Sequence, residues 1–152
     1  LAFIQGTQTQ MLTDEMLHAI ESCELFPFAT ASWESYPNVV PVKYLGALDR
    51  GRLWITDNYL SKTLGNLDEN PYGAVYLMSS DRKGCWQIKG RTSLHKDGHM
   101  FEAMRDRVSQ ANRSLPARSL VILEIDEIFE CMPGDSAGQL IWKSERSAFR
   151  LS

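Results

Sequence analysis

No stretch of the sequence approaches the roughly 20 consecutive apolar residues that cross a bilayer. Its opening, Leu1 to Gln10, has neither the basic start nor the apolar centre of a signal peptide. Those ten residues read as a flexible extension with Met11 a candidate start, residues 11–152 as a single domain, and the cytosol as the expected location. Cysteine is scarce. Cys23, Cys85 and Cys131 are odd in number, far apart and free of any C-x-x-C pair, which excludes a disulfide framework and predicts reduced, mostly buried thiols. Basic charge is also short, with 16 Lys and Arg against 19 Asp and Glu and a net charge of -3. A protein that grips a nucleic-acid backbone needs the opposite balance, so nucleic acid is not an expected partner.

Motifs are missing too. There is no G-x-G-x-x-G and no Walker sequence, so a nucleotide site would have to be built without a Rossmann or P-loop unit. No Ser-His-Asp order and no paired-carboxylate pattern stands out, and Asp68-Glu69 and Asp126-Glu127 read as solvated faces. His95 and His99 are four apart, but Asp97 and Gly98 between them are poor helix-interior residues, so no metal pair is expected.

What is present is ordinary globular composition, 43% hydrophobic and 23% charged, in a length that suits one domain. Thr13, followed by Asp14 and Glu15, is an N-cap with acids in the first turn, and Met16, Leu17 and Ile20 give a short apolar face ending near Glu24. Strands are expected over Phe28 to Trp33, Asn38 to Leu45 and Leu53 to Thr56. Pro41 lies inside the second of these and marks an edge, a bulge or an opening. A short helix over Ser61 to Asn70 is stopped by Pro71, and a strand follows from Gly73 to Ser79. Cys85 to His95 alternates, with Trp86, Ile88, Gly90, Thr92 and Leu94 on one face. Gly98 to Asn112 is amphipathic, with Phe101, Met104, Val108 and Ala111 inward. In a last long strand, Leu120 to Glu130, Val121, Leu123 and Ile125 face the core. Six strands and three short helices, mostly linked by turns, predict a mainly β protein built on a six-stranded antiparallel barrel.

The informative segment is Asn58-Tyr59-Leu60-Ser61-Lys62-Thr63. Ser61 is a good N-cap, which makes Lys62 the first helical residue. A cation there opposes the helix dipole and costs a few tenths to about 1 kcal/mol. An anion at the helix start explains the placement, because free backbone N–H groups, two hydroxyls and one ammonium converge on it, as a phosphate monoester requires. A solvated lysine beside an ordinary cap is the plainer alternative. Trp86 lies on a strand close to Gly90, whose missing side chain admits either a ring system or a β-bulge.

Four segments in this order and spacing resemble the FMN-binding split barrels related to pyridoxamine 5′-phosphate oxidase, especially the short versions. They are Phe28-Ala-Thr-Ala-Ser32, Pro37-Asn-Val-Val-Pro-Val-Lys43, Ser61-Lys-Thr-Leu-Gly-Asn-Leu67 closing on Glu69-Asn-Pro71, and Gln87-Ile-Lys-Gly90. The resemblance runs from about Met11 to Ile141. It implies a split β-barrel that binds FMN and works as a homodimer with the flavin at the subunit interface. It also implies that the backbone of Val40, Pro41, Val42 and Lys43 lines the ring's polar edge. Thr56, Asp57 and Asn58 would flank the ribityl chain, and Ser61, Lys62 and Thr63 would take the phosphate. Trp86 or the C-terminal part would reach the flavin from the partner. The expected activity is that of an oxidoreductase or electron carrier with an unidentified small-molecule or protein redox partner. The alternatives are a pyridoxamine or pyridoxine 5′-phosphate oxidase and a non-enzymatic flavin-binding module, and related barrels accept a deazaflavin or haem instead. The C-terminal substrate-binding arginine pattern of the full-length oxidases is absent from Ile141 to Ser152, where Arg146 and Arg150 are isolated.

Overall fold

The computed structural model describes residues 11–147; the expected extension over residues 1–10, and Arg150, lie outside them. Helix α1 spans Asp14–Ser22. Thr13 caps it by accepting the Met16 N–H at 3.2 Å, and Met16, Ala19 and Ile20 are its buried face. Strands β1 (Phe26–Ala31) and β2 (Pro37–Val42) form one hairpin, and β3 (Leu45–Asp49) and β4 (Arg52–Asp57) another. Helix α2 (Lys62–Glu69) precedes β5 (Tyr72–Met78) and the long β6 (Cys85–His95). Helix α3 (His99–Ala111), β7 (Ser119–Glu130) and β8 (Leu140–Lys143) complete the described chain. The strands form one antiparallel sheet in the order β2-β1-β5-β6-β7-β4-β3, with β8 pairing β7. It is a curled sheet of the split-barrel class.

The count is eight strands rather than six. The expected strand from Asn38 to Leu45 stops at Val42, and Leu45 opens a separate strand, because β2 pairs with β1 and β3 with β4 at opposite ends of the sheet. The chain crosses the opening at Lys43-Tyr44, and the Tyr44 carbonyl accepts the Thr56 N–H at 3.0 Å as the second hairpin begins. Pro41 sits on the edge strand just before that opening, where its missing N–H disrupts no ladder. The additional β8 has four residues, too few for a periodic signal.

Two apolar clusters hold the fold. Inside the sheet, Phe26, Phe28, Leu53, Ile55, Val75, Ile88, Leu123 and Ile125 pack together, and α1 closes one end with Met16, Ala19 and Ile20. Behind the sheet, Phe101, Met104 and Val108 of α3 cover Leu120 and Ile122, which are on the other face of β7. Each large buried side chain contributes about 1.5–3 kcal/mol, enough to seat a thirteen-residue helix that would be marginal alone. Ala111, expected inward, is exposed, since the buried positions stop at Val108. Leu94 is likewise 47% exposed beyond the buried part of β6. The space at Gly90 belongs to a bulge. The β6–β7 register jumps from Lys89↔Glu127 to Gly90↔Ile125, and a Cβ on Gly90 would collide with the Glu124 carbonyl oxygen.

Candidate functional site

The opening between β2 and β3 faces the end of β4 and the start of α2, and a groove of about 470 Å³ lies there. It is lined by Val40, Pro41, Val42, Lys43, Thr56, Asn58, Ser61, Lys62 and Thr63, together with Tyr44, Tyr59, Leu60 and Leu115. The fold thus brings together nine of the eleven residues singled out from the sequence.

Asp57 lies beneath the groove rather than on its wall. It is 2% exposed, and its carboxylate accepts the Leu60 N–H at 2.9 Å, the Arg118 guanidinium at 3.0 Å and the Ser119 hydroxyl at 2.9 Å. Arg118 also donates to the Leu60 carbonyl at 3.0 Å. A buried carboxylate with three charge-assisted bonds is a rigid post, and here it fixes the residue that precedes Ser61. Asn58 braces the same turn from the other side by accepting the Ala117 N–H at 3.0 Å, where Ala117 is held at φ 40°. Trp86 is placed elsewhere. It is 5% exposed inside its own barrel core, its indole lying over Gly84, and it does not line this groove.

Helix α2 is anchored by polar side chains that sequence patterning does not reveal. Asn38 on β2 donates to Thr63 Oγ1 at 3.1 Å and to Thr30 Oγ1 at 3.3 Å, and Asn66 on α2 donates to Thr30 Oγ1 at 3.1 Å. Their partners lie 8 to 36 residues away in sequence, so no local spacing marks them. The expected cap by Ser61 is not made. Its hydroxyl has no cap hydrogen bond, and the first-turn N–H groups of α2 keep no side-chain acceptor there.

Electrostatically the groove is one-sided. Lys43 and Lys62 line it, no Asp or Glu does, and neither lysine is in an ion pair among the described residues. In a chain of net charge -3, that is a local positive site. One more observation points to a ligand. Thr56 is 4% exposed, it lines the groove, and its Oγ1 is buried with no hydrogen-bond partner. An unsatisfied buried hydroxyl costs about 1–3 kcal/mol, which a ligand atom in the groove would recover. A ligand with an anionic group and a further polar atom within reach of Thr56 fits this donor set.

The family model described as pyridoxamine 5′-phosphate oxidase matches residues 12–132. The chain belongs to the pyridoxamine 5′-phosphate oxidase family. An uncharacterized protein of Methanocaldococcus jannaschii is 33% identical over 143 residues, covering 92% of this chain and 94% of that one. Among solved structures, HupZ of Group A Streptococcus shares the fold at a TM-score of 0.72 and 23% identity, covering 84% of this chain and 100% of its own. An FMN-binding protein of Syntrophomonas wolfei matches at a TM-score of 0.65 and 16% identity, over 78% and 84% of the two chains. A haem storage protein of Vibrio cholerae, HutZ, matches at 0.61 and 12%, over 78% and 94%. Membership therefore fixes the fold, and the cofactor has to be argued from this chain's own groove. Among the described residues no helix is long and apolar enough to cross a membrane.

Proposed function

We propose that this member of the family is an FMN-binding flavoprotein working as an oxidoreductase or electron carrier. The observation that carries the reading is the groove at the start of α2, which combines two lysines outside any ion pair of the described residues, no carboxylate and the orphaned Thr56 hydroxyl. Ser61, Lys62 and the first N–H groups of α2 would hold the phosphate. Thr56 and Asn58 would meet the ribityl chain, and the backbone of Val40 to Lys43 the polar edge of the ring. When bound, FMN supplies reversible one- and two-electron transfer. The chain's own contribution is binding and orientation through the brace of Asp57, Arg118 and Asn58.

Haem and a vitamer phosphate suit the same residues less well. The three histidines are His18, His95 and His99, and none lines the groove, which removes the commonest protein ligand for haem iron. A vitamer-phosphate oxidase needs a second anion site beside the ring. Arg146 is committed to Glu124 and, at 3.2 Å, to Asp126.

The active form, on this reading, is a homodimer. Pro41 lines the groove and also lies on the outward row of β2, where Val39 is 65% exposed. Behind that row a hollow of about 350 Å³ has an apolar floor of Ala29, Ala31, Gly73 and Ala74 and a charged rim of Lys89, Asp126, Glu127 and Arg146. A second copy seated on this apolar surface would wall one side of the groove.

The test is the visible absorption spectrum of the purified protein, with mass analysis of whatever denaturation releases. Flavin bands and released FMN are the expected result. A colourless protein that fails to take up added FMN would overturn the reading.

A further inference from the structure

Two of the three dispersed cysteines meet in the fold. Cys85 opens β6, and Cys131 follows the last residue of β7. Trp86 is paired with Glu130, so Cys85 and Cys131 stand opposite each other on the next rung, where the Cys131 N–H donates to the Cys85 carbonyl at 2.9 Å. Directly opposed residues of an antiparallel ladder point to the same face, with Cα atoms about 5.5 Å apart on a hydrogen-bonded rung. A disulfide accepts Cα separations of about 4.4–6.8 Å. The two thiols differ in access. Cys85 is 2% exposed, while Cys131 is half-buried. Cys23 is occupied separately, its thiol donating to the Leu25 carbonyl at 3.1 Å.

We propose that Cys85 and Cys131 are a redox pair that closes to an intramolecular disulfide on exposure to a low-molecular-weight disulfide such as oxidised glutathione. The accessible Cys131, as thiolate, attacks one glutathione sulfur. The glutathione S–S bond breaks, and one glutathione leaves as a thiolate that takes up a proton. Cys85, as thiolate, then attacks the Cys131 sulfur of the mixed disulfide and expels the second glutathione. Two protein thiols are oxidised and one glutathione disulfide is reduced to two thiols, so protons and electrons balance.

Burial pushes the Cys131 thiol up, and the neighbouring Cys85 and Glu130 push it the same way, while Lys89 opposes them. The thiolate is therefore sparse at neutral pH, and closure speeds up as pH rises. Drawing two Cβ atoms in from about 4.5–5.5 Å to the roughly 3.8 Å of a disulfide strains the rung. A strained disulfide is readily reduced, which suits reversible closure. The pair is at the far end of β7 from Ser119, which braces Asp57 beneath the groove, so closure should leave cofactor affinity unchanged.

The experiment titrates the reduced full chain with oxidised glutathione. It reads free thiols after unfolding, intact mass and migration on a non-reducing gel. The expected product has lost two of its three thiols, has lost the mass of two hydrogens, runs as a single chain, and is restored by dithiothreitol. Cys23→Ser should close normally. Cys131→Ser should keep its remaining thiols, and Cys85→Ser should stop as a glutathione adduct. If Cys85→Ser does not fold, because that side chain is buried, peptide mapping of the oxidised wild type decides. A Cys85–Cys131 cross-link supports the pair. A stable wild-type adduct, a cross-link between chains through Cys23, or an unchanged thiol count would each overturn it.

Discussion

The sheet is apolar on its outward side in two places, and the described residues cover one of them. Behind β7, Leu120 and Ile122 point away from the barrel interior, and α3 lays Phe101, Met104 and Val108 over them. Behind β1, β2 and β5, one row runs Val39, Ala29 and Ala74 before turning charged at Lys89, Glu127 and Lys143, and Tyr72 is 53% exposed nearby. The hairpin tip adds Trp33 and Tyr36, which are 79% and 78% exposed. An antiparallel sheet with one wet face usually alternates apolar and polar residues. Here alternation fails on both outward regions, and for the first the reason is visible as α3. The second has no such cover among the described residues, and exposed apolar patches of this kind are where interfaces form. Because Pro41 belongs to both that face and the groove, the proposed homodimer would connect the two through a second copy seated there.

The harshest way to break this comparison is to put a charge on the bare face. Val39→Asp would place two carboxylates, one per copy, in an apolar interface, and an unpaired buried charge costs several kcal/mol. Light scattering at micromolar concentration should give about twice 17.3 kDa for the wild type and a single chain for the variant. The variant's thermal unfolding should shift only through loss of the partner. A wild type that is monomeric while still binding FMN tightly would end the shared-groove reading.

Loosening the covered face should do the reverse. Met104 is 4% exposed, and Met104→Ala removes buried atoms and leaves a cavity, at a cost of about 2–5 kcal/mol. Denaturant unfolding should show a lower midpoint with the slope unchanged. Dimer mass and FMN affinity of the folded fraction should be as in the wild type. A drop in dimer affinity would mean that α3 belongs to the interface, and the contrast between the two faces would fail.

The difference between the faces also explains what was legible in the sequence. Cys85 to His95 was readable as a strand because its alternation is local, and Ser61-Lys62-Thr63 as a helix start because its signals are local. The segment 56–63 and the run from Val40 to Lys43 each reach the groove as short continuous pieces, so naming the pieces gathered most of its lining. Pro41 hinted at an opening but did not place the division at Lys43-Tyr44, which arises because β2 and β3 find their partners at opposite sheet ends. Trp86 was ambiguous because its face depends on packing with Gly84 and on the interior it enters. Asn38, Asn66 and Thr30 went unnoticed, since isolated polar residues have no pattern until α2 docks on β1 and β2. Asp126 looked like a solvated acid, yet it is held by Ser144 at 2.9 Å and by Arg146.

Within the groove, Lys62 and Thr56 separate the phosphate from the rest of the ligand. A charge-assisted contact to phosphate is worth about 1.5–3 kcal/mol. Lys62→Ala should therefore weaken FMN about ten- to a hundredfold, at 1.4 kcal/mol per decade. Riboflavin lacks the phosphate, so its affinity should hardly change, and removing a cation from a helix start should not destabilise the apoprotein. Equal losses for both ligands in fluorescence titrations would move Lys62 away from the phosphate.

The smallest effect is the most discriminating, because its two parts have opposite signs. Thr56→Val exchanges a buried, unpartnered hydroxyl for a methyl of nearly the same shape. Removing a polar group that has no partner is neutral to stabilising, so the apoprotein should hold its stability or gain about 1 kcal/mol in denaturant unfolding. If that hydroxyl bonds the ligand, binding loses one neutral hydrogen bond, worth about 0.5–1.5 kcal/mol, and affinity falls up to about tenfold. The loss should be the same for FMN and riboflavin, since both carry the ribityl chain and the ring, in contrast to the selective loss at Lys62. A destabilised apoprotein would mean that Thr56 has a partner in solution and that the orphaned atom is no sign of a ligand. A more stable apoprotein with both affinities unchanged would leave the groove anion-binding but take Thr56 out of it. The expected pairing, a sturdier apoprotein that binds both flavins less well, ties the one unsatisfied buried side chain in the described barrel to the ligand it awaits.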